Sequence, residues 1–362
     1  MYSNWFLKSF RILLLPIAII YWGIIWVRNF LFDKNIFKST AFGLPVICVG
    51  NLSVGGTGKS PMIELLIKDL KEQYKLAVIS RGYKRKTKGY TLATSDSTAL
   101  DIGDEPLQFY LKFPDIPIAV GEERIIAIPE LLQDKPETEV ILLDDAFQHR
   151  AVKPGFNILL TDQTNLFTRD FYLPTGDLRD LKSSYKRADT IIITKCEPQL
   201  SEVEKKEIIK EINPQKNQPV FFTCIEYDQP YHLITNHKIS LDRETEVLLV
   251  TGIANPRPLE NLIMENCKTY ERMNYPDHHV FVIDDLNEIK ARFKEIESEK
   301  KIILTTEKDA MRLFKFYKEI ETIPMFIIPI RHQFLFNDAE RFKGIVVNFI
   351  KNFNAGTTNT NG

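Results

Sequence analysis

Sulfur, net charge and tryptophan are all scarce in this chain. Four cysteines, Cys48, Cys196, Cys224 and Cys267, lie far apart among 362 residues and form no C-x-x-C pair. That spacing excludes a structural zinc site and a disulfide scaffold, and it fits a reducing compartment. Most of the cysteines sit in or beside apolar runs, where the thiol acts as a small buried hydrophobe. The net charge of -1 offers no general attraction to nucleic acid. No internal repeat is present. No small-residue cleavage site follows the N-terminal apolar stretch, which argues against a removable signal peptide. The three tryptophans, Trp5, Trp22 and Trp26, all fall near the N-terminus.

A hydrophobic content of 44% and a charged content of 26% describe a globular protein, and 362 residues suffice for two domains with real cores. The one long uncharged stretch is Ile12 to Val27, bracketed by Arg11 and Arg28. As a helix it would reach roughly 24 Å, short of the roughly 30 Å hydrocarbon core, and Pro16 is expected to kink it. Its tryptophans suit a membrane interface. Three readings stay open: an anchor lying in the membrane, a true span, and a buried helix of a soluble core. Lys8 and Arg11 precede the stretch, and Arg28, Lys34 and Lys38 follow it, so charge fixes no topology.

Beyond residue 40, runs rich in Val, Ile and Leu alternate with helical spacing. Strands are expected at 44–49, 76–80, 116–120, 140–144, 157–161 and 190–194, with helices at 59–73, 105–113, 122–133 and 202–212. Strands apolar on both faces and separated by helices predict a mostly parallel sheet covered on two sides. A turn-rich break, Asn213 to Pro219, precedes two short β-like runs and a second α/β series. The expected organisation is an N-terminal helix region (1–38), a P-loop domain (39–218), a β-ribbon linker (219–245), a smaller α/β lobe (246–353) and a frayed tail (354–362). The fold class is therefore α/β: a P-loop-type parallel sheet flanked by helices, a second lobe and a membrane-associated helix.

The most informative segment is Val49-Gly50-Asn51-Leu52-Ser53-Val54-Gly55-Gly56-Thr57-Gly58-Lys59-Ser60-Pro61. Strand, glycine-rich loop and Gly-Lys-Ser opening a helix is how main-chain N–H groups, a lysine and a magnesium-ligating hydroxyl grip a nucleoside triphosphate. Ser53 stands where the pattern usually has its first glycine. Asn51 and Ser53 to Ser60 are the candidate nucleotide-binding residues. The run Val140 to Asp144, then Asp145, puts carboxylates beside that loop, where magnesium needs oxygen ligands.

Asp104 and Glu105, at the start of a predicted helix, suit N-capping or, alternatively, a general base and a metal-shell carboxylate. Tyr275-Pro276-Asp277-His278-His279 reads as an exposed polar turn or as the source of a histidine that reaches a catalytic carboxylate. Arg124, after Gly121-Glu122-Glu123, suits either transition-state charge stabilisation or an ion pair on a helix face. His149 suits a capping role as well as a site role. The basic run Arg81, Lys84, Arg85, Lys86 and Lys88 suits a solvated loop, anionic headgroups or a substrate phosphate. Thr194-Lys195-Cys196-Glu197 is one carbon away from a guanine-reading loop and reads as a strand end.

These segments together resemble the tetraacyldisaccharide 4'-kinase family of lipid A biosynthesis. Ser80-Arg81-Gly82-Tyr83, Ala146-Phe147-Gln148-His149, Leu173-Pro174-Thr175-Gly176 with Leu178-Arg179, Thr251-Gly252-Ile253-Ala254-Asn255-Pro256 and Thr306-Glu307-Lys308-Asp309-Ala310 add to the likeness. It runs from the apolar helix to near residue 350. The resemblance implies a peripheral or monotopic enzyme on the cytoplasmic face of a Gram-negative inner membrane. Its substrates would be ATP with Mg2+ and an acylated glucosamine disaccharide 1-phosphate, phosphorylated at the 4'-hydroxyl, with no nucleic-acid partner. It also implies Asp104 as general base with His278 as its partner, Lys59 and Arg124 in catalysis, and Ser60, Glu105, Asp144 and Asp145 around the metal. Asp177 departs from the more apolar residue common at its place. Without the resemblance, a membrane-bound nucleotide switch or a P-loop kinase of another lipid would fit the same motifs.

Overall fold

The computed structural model describes residues 11–277 and 279–353. Its larger sheet has nine strands in the order β14-β8-β7-β6-β1-β5-β2-β4-β3. In chain order these are β1 (Val46–Asn51), β2 (Leu76–Ser80), β3 (Thr91–Leu92), β4 (Ile118–Val120), β5 (Val140–Asp144), β6 (Phe156–Asp162), β7 (Thr190–Thr194) and β8 (Val220–Tyr227), with β14 (Ile330–Phe334) added from far downstream. All pairings are parallel except at the two edges, where β3 meets β4 and β14 meets β8 antiparallel. Strand β1 pairs with β5 on one side and β6 on the other. The chain changes direction of travel at β1, so a crevice opens beyond its C-terminal end, the usual ligand position in such sheets.

Apolar residues on both faces explain the arrangement. On one face Ile47, Val78 and Leu142 pack with Met62 and Leu66 of the helix Lys59–Leu70 and with Phe342 and Val346 of the helix Ala339–Lys351. On the other, Ala77, Ile141 and Ile191 pack with Ala127 and Leu131 of the helix Arg124–Asp134 and with Ile208 of the helix Glu202–Ile212.

The smaller sheet has five strands, ordered β11-β10-β12-β13-β9. These are β9 (Tyr231–His232), β10 (Glu246–Thr251), β11 (Thr269–Asn274), β12 (Lys301–Thr306) and β13 (Met325–Ile328). The expected grouping differs in two places. The two runs read as one ribbon separate, with β8 joining the large sheet and β9 the small one. Residues 330–351, which fall within the expected second lobe, form β14, a strand not expected there, and the helix Ala339–Lys351, and both lie on the large sheet. Propensity and period place an element but not its partner; here a cluster of Phe221, Phe334 and Phe342, with Phe221 edge-on to the other two, packs both against the large sheet. The tail 354–362 lies outside the described residues.

The N-terminal helix runs Leu15–Asp33, beyond the expected end at Val27. Pro16 does not kink it: the ring sits in the first turn, where no intrahelical N–H is required. The segment Ile12–Asp33 is long and apolar enough to cross a membrane. One side of it is fixed to the body by polar contacts. Buried Asn29 donates to Asp180 at 2.7 Å, and Arg28 donates to the Gln148 carbonyl at 2.6 Å. Ile17, Ile20, Ile24, Trp26 and Phe30 are exposed.

Candidate active site

Strand β1 delivers the loop 52–58 to the crevice, and the helix beginning at Lys59 leaves it. Gly58 has φ 85°, the left-handed conformation that suits glycine at the turn into the helix. A Cβ there would lie 2.8 Å from His332 Cε1, so glycine is required twice over. Lys59 Nζ sits 3.5 Å from Asn51 Oδ1 and 3.8 Å from Asp145 Oδ1. Asn51 donates to Thr57 Oγ1 at 2.9 Å, bracing the loop across its base. Ser53 and Val54 are strapped to the segment 177–178: Ser53 bridges Leu178, and the Val54 N–H donates to the Asp177 carbonyl at 2.8 Å. Their backbone therefore holds the loop, while Gly55 and Gly56 are exposed.

Beside this loop β5 ends in Asp144, fully buried, with Ser80 of β2 donating to its Oδ2 at 2.9 Å. Burial, then the neighbouring charges of Glu105 and Asp145, push its carboxyl up to about 7 against the pull of Lys59. Its Oδ1 is buried and accepts no hydrogen bond among the described residues. A cation placed there would satisfy that oxygen and reverse the shift. Asp145 behaves oppositely: burial raises it, but Lys59 and Arg179 outweigh burial and hold it below the usual carboxylate range. Arg179 grips both its oxygens and donates to Asn51 Oδ1 at 2.5 Å.

Arg124 lies beneath this turn rather than on an open helix face. It is 2% exposed, and its guanidinium donates to the carbonyls of Glu122, Asp144 and Asp145 at 3.1–3.3 Å. His149 is neutral: burial, then Arg124, Arg28 and Arg81, push its imidazolium down to about 4. In the basic run, Arg85 is committed to Glu122 at 2.8 Å.

Across the crevice, the helix Asp104–Lys112 starts with the acidic pair. Glu105 Oε1 accepts from Ser60 Oγ at 3.0 Å, so the pair meets the loop directly. Asp104 Oδ2 accepts from Arg312 Nε at 2.8 Å, and Arg312 belongs to the helix Glu307–Leu313 beside the small sheet. His278 lies outside the described residues. Its neighbour His279 is bonded to Asp285 at 2.8 Å and stacked on Tyr275, which commits that ring to its own turn.

A family profile described as "Tetraacyldisaccharide-1-P 4'-kinase" matches residues 10–351. The chain belongs to this family. It is 44% identical to a tetraacyldisaccharide 4'-kinase of Bacteroides thetaiotaomicron, over 93% of each chain. It is 45% identical to one of Flavobacterium johnsoniae, over 94% of this chain and 97% of that one. The fold matches a crystal structure of Aquifex aeolicus LpxK in complex with ATP, with a TM-score of 0.74 and 26% identity over 94% of this chain and 99% of that one. The expected α/β fold and family are thus borne out.

This family member also holds site residues that the sequence reading did not single out. Buried His332 of β14 bonds the Gly58 carbonyl through Nε2 at 2.8 Å and Thr223 through Nδ1 at 2.9 Å. Burial pushes the imidazolium down to about 4, so the ring is neutral and Nε2–H is the donor. Thr194 Oγ1 donates to the Thr57 carbonyl at 3.0 Å, giving the strand-end motif a structural task. Lys112 joins Glu64, at 2.5 Å, to Glu307, tying both sheets together. A histidine one hundred and more residues from a motif leaves no sequence signal; only the antiparallel return of β14 brings it under the loop.

Proposed function

We propose that this protein transfers the γ-phosphate of ATP to the 4'-hydroxyl of a tetraacylated glucosamine disaccharide 1-phosphate, at the membrane surface. Membership of the family carries the reaction, and one observation carries its location: Asp104 and Glu105 face a complete phosphate loop across the same crevice, joined through the Ser60–Glu105 hydrogen bond.

A sugar hydroxyl is a weak nucleophile at neutral pH and needs alignment with the phosphorus and late loss of its proton. The amides of 55–60 and Lys59 hold the outer phosphates. Asp104 takes the proton as the hydroxyl oxygen bonds to the γ-phosphorus and the bond to ADP breaks. His278 is its partner in this reading. Arg124 works through the turn it supports. The residues fit magnesium: Ser60, Glu105 and Asp144 offer oxygens, and Asp144 Oδ1 has no other described use. Asp145 would ligate only in competition with Arg179. Among the described residues no three His, Cys, Asp or Glu form a cage. That suits magnesium, which takes one or two carboxylates and lets phosphates and water complete its shell. Bound there, the ion would neutralise charge on the transferring group.

The exposed side of the helix Ile12–Asp33, with Phe171 beside its Trp22, supports a monotopic seat on the cytoplasmic face of the inner membrane. Incubation of purified protein with labelled ATP, magnesium and the lipid disaccharide, followed by chromatography, tests the proposal. A labelled lipid that resists enzymes specific for the 1-phosphate is expected. ATP hydrolysis without lipid labelling would point to a nucleotide switch.

A further inference from the structure

We infer that Arg312 is a positioning residue for the base, held by the small sheet and acting on a carboxylate of the large one. The inference rests on the reading of Asp104 as general base. Asp104 opens its helix after Gly103, whose φ of 95° leaves the acid at the mouth of the crevice, and its side chain is 27% exposed. A carboxylate so placed has free rotation about its Cα–Cβ bond unless something holds it. Arg312 Nε takes Oδ2 at 2.8 Å, while its Nη1 takes Asp309 Oδ1 at 3.2 Å. Asp309 is fully buried, and its other oxygen accepts from the Gly252 N–H at 2.9 Å and from Thr306 Oγ1 at 2.8 Å.

The guanidinium is therefore anchored on the ends of β10 and β12 before it reaches Asp104. The same anchor reaches the turn after β11. Tyr275 N donates to the Thr251 carbonyl at 2.8 Å, and a Cβ on Gly252 would lie 3.0 Å from the Pro276 carbonyl. Arg312 and Asp309 thus set the orientation of Asp104 and brace the loop against which the 275–277 turn lies. With Oδ2 occupied, Oδ1 accepts no hydrogen bond among the described residues and is the atom that takes the proton. The base is correctly presented only while the helix Glu307–Leu313 lies against the helix Asp104–Lys112.

The test compares Arg312→Ala, Arg312→Lys, Asp104→Ala and the double variant Asp104→Ala/Arg312→Ala with the unaltered full-length enzyme, measuring kcat, KM for ATP and Tm. Arg312→Ala is expected to lower kcat roughly 10–100-fold with KM for ATP within about twofold, because misalignment at the reacting centre spares nucleotide binding. Arg312→Lys should recover part of kcat. In the Asp104→Ala background, Arg312→Ala should change the residual rate by less than about twofold, since groups acting as one unit are not additive. Full multiplication of the two losses, or an unchanged kcat in an Arg312→Ala enzyme with unaltered Tm, overturns the positioning role and leaves the base intact. If Arg312→Ala is unfolded, Arg312→Lys with an unaltered Tm and a kcat lowered by a part of that range supports the role, and unaltered kcat in it overturns it. Normal turnover by Asp104→Ala itself removes the base, and the positioning role with it.

Discussion

The two sheets divide the work unequally. The nine-stranded sheet carries the phosphate loop, the acidic turn and the anchor helix, and the groups that brace the loop are bonded to one another before any ligand arrives, while Asp144 Oδ1 is not. Asn51, Thr57, Thr194, Arg179 and His332 all hold the loop or the turn beside it. The five-stranded sheet contributes fewer polar groups, which reach across the crevice, Arg312 to Asp104, Lys308 to Glu105 and Glu307 to Lys112, beside an apolar seam that includes Leu107 and Met311. In the proposed reaction, nucleotide gripping is therefore a property of one sheet, whereas presentation of the base is a property of both. Variants of the first kind should alter affinity and turnover; variants of the second should alter turnover.

The strongest way to break this contrast is to remove one essential group from each function. Asp104→Ala and Lys59→Ala should each lower kcat by roughly 10²–10⁴-fold, with nucleotide affinity kept in the former and reduced in the latter. An Asp104→Ala enzyme that loses ATP binding as well would erase the distinction. Next in size is the anchor, which also sits on the large-sheet side. Ile24→Glu removes an exposed apolar contact and should weaken binding to anionic vesicles at least tenfold, read by flotation, with turnover of a detergent-dispersed acceptor unchanged. Equal vesicle binding would mean that another surface anchors the chain.

A smaller effect is expected under the loop. His332→Ala leaves the Gly58 carbonyl with the Met62 N–H at 3.2 Å as its one remaining donor among the described residues and should raise KM for ATP up to about tenfold, the size of one lost hydrogen bond. Steady-state kinetics decide this, and an unchanged KM would free the loop from β14.

The mildest probe addresses the joint between the sheets. Burial and the nearby Glu64 raise Glu307 to about 7, with Lys112 opposing. At pH below the ordinary glutamate range, folded and unfolded chains are both protonated at Glu307 and its contribution is complete. As pH rises toward about 7 the unfolded chain ionises first, so stability is lost across that window. Glu307→Gln should flatten the fall in urea midpoint between about pH 4.5 and 7. A slope as steep as in the unaltered protein would place the titration elsewhere.

Much of this was legible in the residues. Strands β2, β5 and β7 end where apolar runs meet Ser80, Asp144 and Thr194, because a fully buried strand admits a polar group only at its mouth. Helix starts at Lys59 and near Asp104 follow from glycine turns. Strand β11, Thr269–Asn274, leaves no signal in the sequence, because its polar edge-strand residues form no apolar run. Arg312 and His332 were invisible for a different reason. Each acts on a partner more than two hundred residues away, and no local period records such a meeting.

The chain leaves the large sheet after β8 and returns to it at β14, and these two crossings lie side by side: the Asp228 N–H donates to the Pro329 carbonyl at 2.9 Å. A body hung from two adjacent cords turns about the line through them and resists sliding along it. Any opening of the crevice should therefore be a rotation that swings Arg312 away from Asp104 while leaving the loop over His332 undisturbed. Access to the sugar and access to the nucleotide become separable events.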